Sequence, residues 1–292
     1  MTRLPMAADA EPPFAHVAIV GFGLIGGSLG LAIREHWPKA MVIAIDRKDV
    51  IETAMRLGAA DVGGDDLGLA AGAELIVLAA PARANVDVLA RLDGFVPGAA
   101  LVTDVTSTKR AVVEAARMLP ERLRFVGGHP LAGAAVGGVE AARADLFQGR
   151  PWILTPGDAG ADPALADMLG VLGARVRTMT AEAHDELLAY ISHLPQVTAS
   201  ALMSVVGERA GERGLAHAGR GLRDTTRLAS SPPAIWRDVA ATNRDHLAAA
   251  IDDLIAVLQT IKQDLDADGG AIESVFASAV RWKRALEEPF DQ

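Results

Sequence analysis

Val17-Ala18-Ile19-Val20-Gly21-Phe22-Gly23-Leu24-Ile25-Gly26 decides the fold. Four apolar residues run into a G-x-G-x-x-G turn, and a helix-compatible stretch follows over residues 24–35. In such a unit Gly21 permits the tight turn, Gly23 lets a pyrophosphate approach the backbone, and Gly26 lets helix and strand pack closely. The pyrophosphate then sits on the positive end of the helix. Asp46 closes the next apolar run, 46 − 26 = 20 residues beyond the last glycine, where an acid meets the ribose hydroxyls of a dinucleotide. An acid there favours NAD, while Arg47 and Lys48 leave NADP open.

Outward from this unit, short β-like runs at 17–20, 41–45, 75–79, 100–103, 124–126, 152–155 and 175–179 alternate with helical stretches such as 24–35, 47–57 and 109–118. That alternation predicts βαβ units and a mostly parallel sheet. Beyond Thr180 no strand is predicted. Residues 183–206 read as helix with a kink at Pro195, and Ile251, Leu254, Ile255, Leu258, Ile261 and Leu265 recur at helical spacing. The expected architecture is an α/β Rossmann-type nucleotide-binding domain over 1–181, with a flexible start over about 1–14, followed by an all-helical domain over 182–292. The apolar helix face suits either a core or a dimer interface.

Composition narrows the classes. Half of the 292 residues are hydrophobic, 22% are charged, and the net charge is −9. These values describe a globular chain, and no basic patch suits a nucleic-acid backbone. Cysteine is absent, which excludes disulfides and thiolate chemistry and fits a cytoplasmic protein. The seven histidines show no metal-site spacing, so no metal is expected. Residues 17–33 carry no charge, but glycines interrupt them and no basic signal start precedes them, so neither a membrane span nor a leader is predicted.

The chemistry centres on Phe125-Val126-Gly127-Gly128-His129-Pro130-Leu131-Ala132-Gly133. An apolar run ending in glycines, histidine and proline reads as a parallel strand stopping at the sheet's carboxyl edge, where ligands bind. Histidine is the side chain best suited to take a proton near neutral pH. Ser192-His193-Leu194-Pro195, Asp224-Thr225-Thr226-Arg227 and Trp236-Arg237-Asp238 follow, and Thr103-Asp104-Val105-Thr106-Ser107-Thr108-Lys109 precedes. In this order, from about residue 15 onward, these pieces resemble the prephenate/arogenate (cyclohexadienyl) dehydrogenase family. Val105-Thr106 and Arg220 depart from the residues common there, both toward the substrate end.

The resemblance implies NAD-dependent oxidative decarboxylation of prephenate to 4-hydroxyphenylpyruvate in tyrosine biosynthesis, or use of arogenate or of both substrates. It implies that His129 takes the substrate hydroxyl proton and that Ser107 hydrogen-bonds that hydroxyl. Arg227 would bind a carboxylate, His193 and Trp236 would line the side-chain end, and the helical domain would form a homodimer. The candidate cofactor set is Gly21, Gly23, Leu24, Ile25, Gly26, Asp46, Arg47, Ala80, Pro81, Thr103 and Asp104. Taken singly, the residues keep other readings: Ser107 as a helix cap, Arg227 paired with Asp224, and His193 and Trp236 as core. Two rival functions fit the sequence less well. A β-hydroxyacid dehydrogenase needs a lysine on the first long helix of the second domain, and none of Lys39, Lys48, Lys109, Lys262 or Lys283 falls within 183–206. A non-catalytic NAD-binding regulator would need none of His129, Ser107 and Arg227. The chain ends soon after its helices, so no appended regulatory domain or fused mutase is expected.

Overall fold

The computed structural model describes residues 11–133, 136–157, 160–265 and 269–288. Eight strands form one sheet in the order β3-β2-β1-β4-β5-β6-β7-β8. They are β1 His16–Val20, β2 Met41–Ile45, β3 Val62–Gly64, β4 Leu75–Leu78, β5 Ala100–Asp104, β6 Leu123–Pro130, β7 Pro151–Pro156 and β8 Arg175–Thr178. All neighbours run parallel except β6 and β7. Helices α1 (Leu24–His36), α2 (Lys48–Arg56), α3 (Ala82–Leu92), α4 (Arg110–Ala116) and α5 (Pro163–Val171) connect them. Burial on both faces explains the near-continuous apolar strands. Val17 and Ile19 pack with Phe22, Leu29, Ile33 and Trp152 on one side, and Ala18 and Val20 pack with Leu78, Leu89, Leu92 and Val112 on the other.

The chain builds outward from β1 to β3, then crosses back to β4 on the other side of β1. A crevice therefore opens at the carboxyl ends of β1 and β4, the switch point where such sheets bind ligands. Gly21 makes the turn with φ +92°, and a Cβ there would lie 2.4 Å from the Ala80 nitrogen. A Cβ on Gly26 would lie 2.2 Å from the Gly21 carbonyl oxygen, so α1 approaches the turn only because that side chain is missing.

Two local expectations are corrected. Residues 62–64 form an unforeseen edge strand, hidden in the sequence by its two glycines. The strand expected over 124–126 continues through His129 to Pro130, because Gly127–Pro130 pairs antiparallel with β7, His129 opposite Ile153. His129 thus sits within a strand and not in a loop beyond it, and pairing with β7 fixes its backbone.

Beyond β8 all described regular structure is helical: α6 (Ala181–Leu188), a π-helical turn over Ala189–His193, α7 (Leu194–Leu215, broken at Gly211 with φ +61°), α8 (Arg220–Thr225), α9 (Pro233–Thr242), α10 (Arg244–Asp264) and α11 (Gly270–Glu287). Pro195 has no N–H to offer the preceding turn, and the chain meets this with the wider π turn. The uncharged stretch 17–33 divides into β1, the turn and α1, and no described helix is long and apolar enough to cross a membrane. Part of the flexible start expected over 1–14 lies outside the described residues; Phe14 is buried in the core. Nor is the apolar series on α10 fully buried: Ile255 is 44% exposed and Leu258 54%.

Gly26→Ala should destabilise the fold by about 1–3 kcal/mol, the usual cost of overpacking. Gly23→Ala should cost far less, since a Cβ there meets nothing within 4 Å. Urea titration of both variants checks the contrast, and equal losses would contradict it.

Candidate active site

Three clefts run in series along the carboxyl edge. The first, about 630 Å³, is lined by Gly21, Gly23, Asp46, Arg47, Lys48, Ala80, Pro81 and Arg91, among others. The second, about 290 Å³, shares Ala80 and Pro81 with it and adds Ile25, Ser107, Ile235 and Asp238. The third, about 370 Å³, shares Ser107 and Ile235 with the second and adds His129, Leu131, His193 and Trp236. The shared residues make this one path, from the glycine turn to His129.

His129 is buried, and its Nδ1 lies 2.8 Å from His184 Nε2. His184 Nδ1 in turn lies 2.7 Å from Asp185 Oδ1. The Asp185 carboxylate also accepts the backbone N–H groups of Lys109 (2.7 Å) and Arg110 (2.9 Å), so it caps α4 from α6. Burial, the positive charge of Lys109 and the neighbouring His184 and His193 together hold the His129 pKa well below the ordinary histidine value, burial being the largest cause. Burial opposes ionisation of Asp185 as well, but His184 and the two backbone donors outweigh it and hold that carboxyl below its ordinary value.

Behind the site, the fully buried Lys109 ammonium pairs with Asp104 and donates to Thr106 Oγ1 (2.9 Å) and the Gly128 carbonyl (2.6 Å). Asp104 further accepts from the backbone N–H groups of Thr106 (2.9 Å) and Gly128 (3.0 Å). Helices beyond the sheet close the front. Asp238 accepts from the Ala82 N–H at the start of α3 (2.7 Å), and Thr242 meets Thr108 (2.8 Å).

Two family models match the chain: prephenate dehydrogenase, nucleotide-binding domain, over residues 29–178, and prephenate dehydrogenase, dimerization domain, over 180–275. The prephenate dehydrogenase of Bacillus subtilis is 36% identical over 255 residues, covering 84% of this chain and 69% of that protein. The cyclohexadienyl dehydrogenase of Zymomonas mobilis is 32% identical over 288 residues, covering 95% and 98%. The chain belongs to the prephenate dehydrogenase family. Among solved structures, prephenate dehydrogenase from A. aeolicus in complex with hydroxyphenyl propionate and NAD+ superposes with a TM-score of 0.85 at 28% identity, covering 94% of this chain and 98% of that one.

Within this family fold, most residues singled out from the sequence meet along the clefts. Gly21, Gly23, Asp46, Arg47, Ala80 and Pro81 line the first, Ile25 the second, and Ser107, His129, His193 and Trp236 the third. Gly26 sits under the turn, and the Leu24 side chain packs against the core while its backbone opens α1. Thr103 and Asp104 line none of these clefts: both are buried, with Asp104 bonded to Lys109 and backbone N–H groups. The capping alternative for Ser107 fails, since α4 begins at Arg110 and its leading N–H groups go to Asp185. Arg227 stands apart from the others. It is exposed at the start of the 3-10 turn Arg227–Ser230 and lines none of these clefts, yet it makes no ion pair with Asp224 either. Nothing in the sequence singled out His184, Asp185 or Asn243, and Asp238 entered only as part of the Trp236–Asp238 run, without a role. An adjacent His-Asp pair near a helix start carries little signal, because neighbours i, i+1 do not face each other along a helix.

His129, His184 and His193 all titrate below the ordinary histidine value of 6.5, mainly because burial disfavours their charged forms, and His193 falls to about 4. The unfolded chain therefore binds more protons than the folded one just below that value, so stability is full above it and lost on acidification. For His193 the loss spans from 6.5 to about 4. Urea unfolding at about pH 7 and about pH 5 should show a lower midpoint at the acid value, and His193→Asn should flatten that difference. A midpoint that rises on acidification would contradict it.

Proposed function

We propose that this chain catalyses the NAD-dependent oxidative decarboxylation of prephenate to 4-hydroxyphenylpyruvate. One observation carries the reading: a neutral, buried His129 faces a cleft that it shares with Ser107, and Ser107 links that cleft to the one beside the glycine turn. The residues present fit a dinucleotide. Gly23 caps α1 with no side-chain bond, the first turn of α1 has no acid, and a Cβ at Gly23 would stand in open space, so a pyrophosphate has room against bare N–H groups. Asp46 would hold the ribose hydroxyls. Its carboxylate accepts from the Phe22 and Arg47 N–H groups, which fix it at the end of β2. Arg47, Lys48 and Arg91 line the same cleft and keep NADP as the lesser alternative.

A dinucleotide held there would supply the hydride acceptor for the substrate C4. As that hydride leaves, His129 Nε2 takes the C4 hydroxyl proton, and Ser107 Oγ holds the oxygen in line. Loss of CO₂ then aromatises the ring, and the proton returns to the phenolic oxygen. The mainly apolar walls from Ile25, Leu131, Ile235 and Trp236 exclude water.

His193 reads the side chain. Asn243 donates through Nδ2 to the Asp185 carbonyl (2.8 Å), which orients its amide, and the same nitrogen lies 3.3 Å from His193 Nδ1. Neutral His193 then accepts at Nδ1 and carries its proton on Nε2, an atom with no protein partner, at the cleft. A donor there suits the keto acid of prephenate better than the ammonium of arogenate. The cyclohexadienyl relative keeps arogenate or dual use as the second reading. Arg227, exposed on its turn, would bind a substrate carboxylate. Its turn is tied to α7 by Gln196, which donates to the Leu228 carbonyl (2.7 Å) one turn beyond His193.

In this reading 1–181 is the dinucleotide domain and 182–292 the substrate and dimerisation domain of a cytoplasmic homodimer. The match to a dimerization-domain model and the exposure of Leu258, Leu265, Phe276 and Trp282 support the dimer. Light scattering should give twice the chain mass of 30.4 kDa, and a single-chain mass at micromolar concentrations would contradict it.

Assays of prephenate and arogenate, each with NAD and NADP, should show the fastest NADH formation with prephenate and NAD. His129→Ala should cut kcat about 10²–10⁴-fold with a much smaller change in KM, as for a positioned general base. Near-full turnover by folded His129→Ala would overturn the mechanism.

A further inference from the structure

We propose that His184 and Asp185 position His129 for catalysis by fixing which of its ring nitrogens carries the proton. The proposal rests on the reading above, in which His129 is the base, and the donor logic follows from three groups. An ionised carboxylate only accepts, so His184 must carry its proton on Nδ1 to bond Asp185 Oδ1 at 2.7 Å. Its Nε2 is then an acceptor, and the contact of 2.8 Å requires His129 to donate from Nδ1. The lone pair of His129 is left on Nε2, the nitrogen without a protein partner, at the cleft.

The anchor of this chain is rigid. Asp185 is fully buried and clamped by the Lys109 and Arg110 N–H groups, while its own carbonyl accepts from Asn243. His184 is equally buried and lines none of the clefts, so neither residue touches substrate. The charged and titratable groups facing His129 are His184 and Asp185 from α6, His193 from the π turn, Lys109 from the β5–α4 connection and, paired with it, Asp104 at the end of β5. Lys109 opposes a positive charge on His129, whereas Asp185 supports one through His184. When Nε2 takes the substrate proton, the His129–His184 pair gains one proton and one positive charge, held against the Asp185 carboxylate. That is the logic of an orienting acid behind a catalytic histidine, here with a second imidazole between them.

The test has a direct and a kinetic arm. In ¹⁵N-histidine-labelled wild-type protein, two-bond proton–nitrogen couplings should place the proton on Nδ1 of both His129 and His184. His184→Phe should lose the Nδ1 preference of His129 and lower kcat about 10- to 10³-fold, with prephenate KM changed by less than about threefold. His184→Gln retains an oxygen that can accept from His129 Nδ1, so it should restore the tautomer and recover kcat to within about tenfold of wild type. If the Phe variant does not fold, the wild-type tautomer and the Gln variant still decide. A proton on Nε2 of His129 in the wild type would overturn the proposal, as would an unchanged kcat in folded His184→Phe or equal kcat losses in both variants. The tautomer arm needs no substrate, so its outcome stands even if prephenate proves not to be the substrate.

Discussion

The buried ion pair between Lys109 and Asp104 is the constraint on which the site depends. It ties together the end of β5, the loop that carries Ser107, the start of α4 and the backbone just before His129. All three ammonium protons have acceptors, as a charge with no exposure requires. Withdrawing two charges from water costs several kcal/mol per ion, so the pair adds little net stability; breaking it would leave a buried charge at a cost of about 3–5 kcal/mol. Its worth is geometric. Glycine at 128 belongs to the same arrangement, since a Cβ there would stand 2.6 Å from the Asp104 carbonyl oxygen.

The helices complete what the sheet begins. Without α6, the leading N–H groups of α4 would lose the Asp185 carboxylate and His129 would lose His184. Without α9, the start of α3 would lose Asp238. Each contact joins residues 55–156 positions apart in the chain, so the catalytic geometry appears only when both halves are docked. The same contacts let the helical half supply one wall of the substrate cleft through His193 and Trp236, set edge to face with ring centroids 6.1 Å apart.

The parts legible in the sequence were those written locally. The glycine turn, the acid after β2, the alternation of strands and helices, and the histidine at the sheet edge all depend on neighbours within a few tens of residues. Strand β3 escaped because two of its three residues are glycine. The true extent of β6 escaped because pairing with β7, and not its own composition, continues it to Pro130. At the site, Thr103 and Asp104 looked like cofactor residues by position, but only the structure shows Asp104 consumed by Lys109. Asp185 as the cap of α4 was out of reach for the same reason: its partners lie 75 and 76 residues away. Arg227 matched a motif, yet its exposed side chain lines none of the clefts.

The central claim is that His129 Nε2 is the unprotonated nitrogen that meets the substrate hydroxyl. A crystal structure of the protein with oxidised dinucleotide and hydroxyphenyl propionate tests it most directly. The account predicts the ring hydroxyl within about 2.6–3.2 Å of both His129 Nε2 and Ser107 Oγ. A ring bound with its hydroxyl turned away from His129 would contradict it.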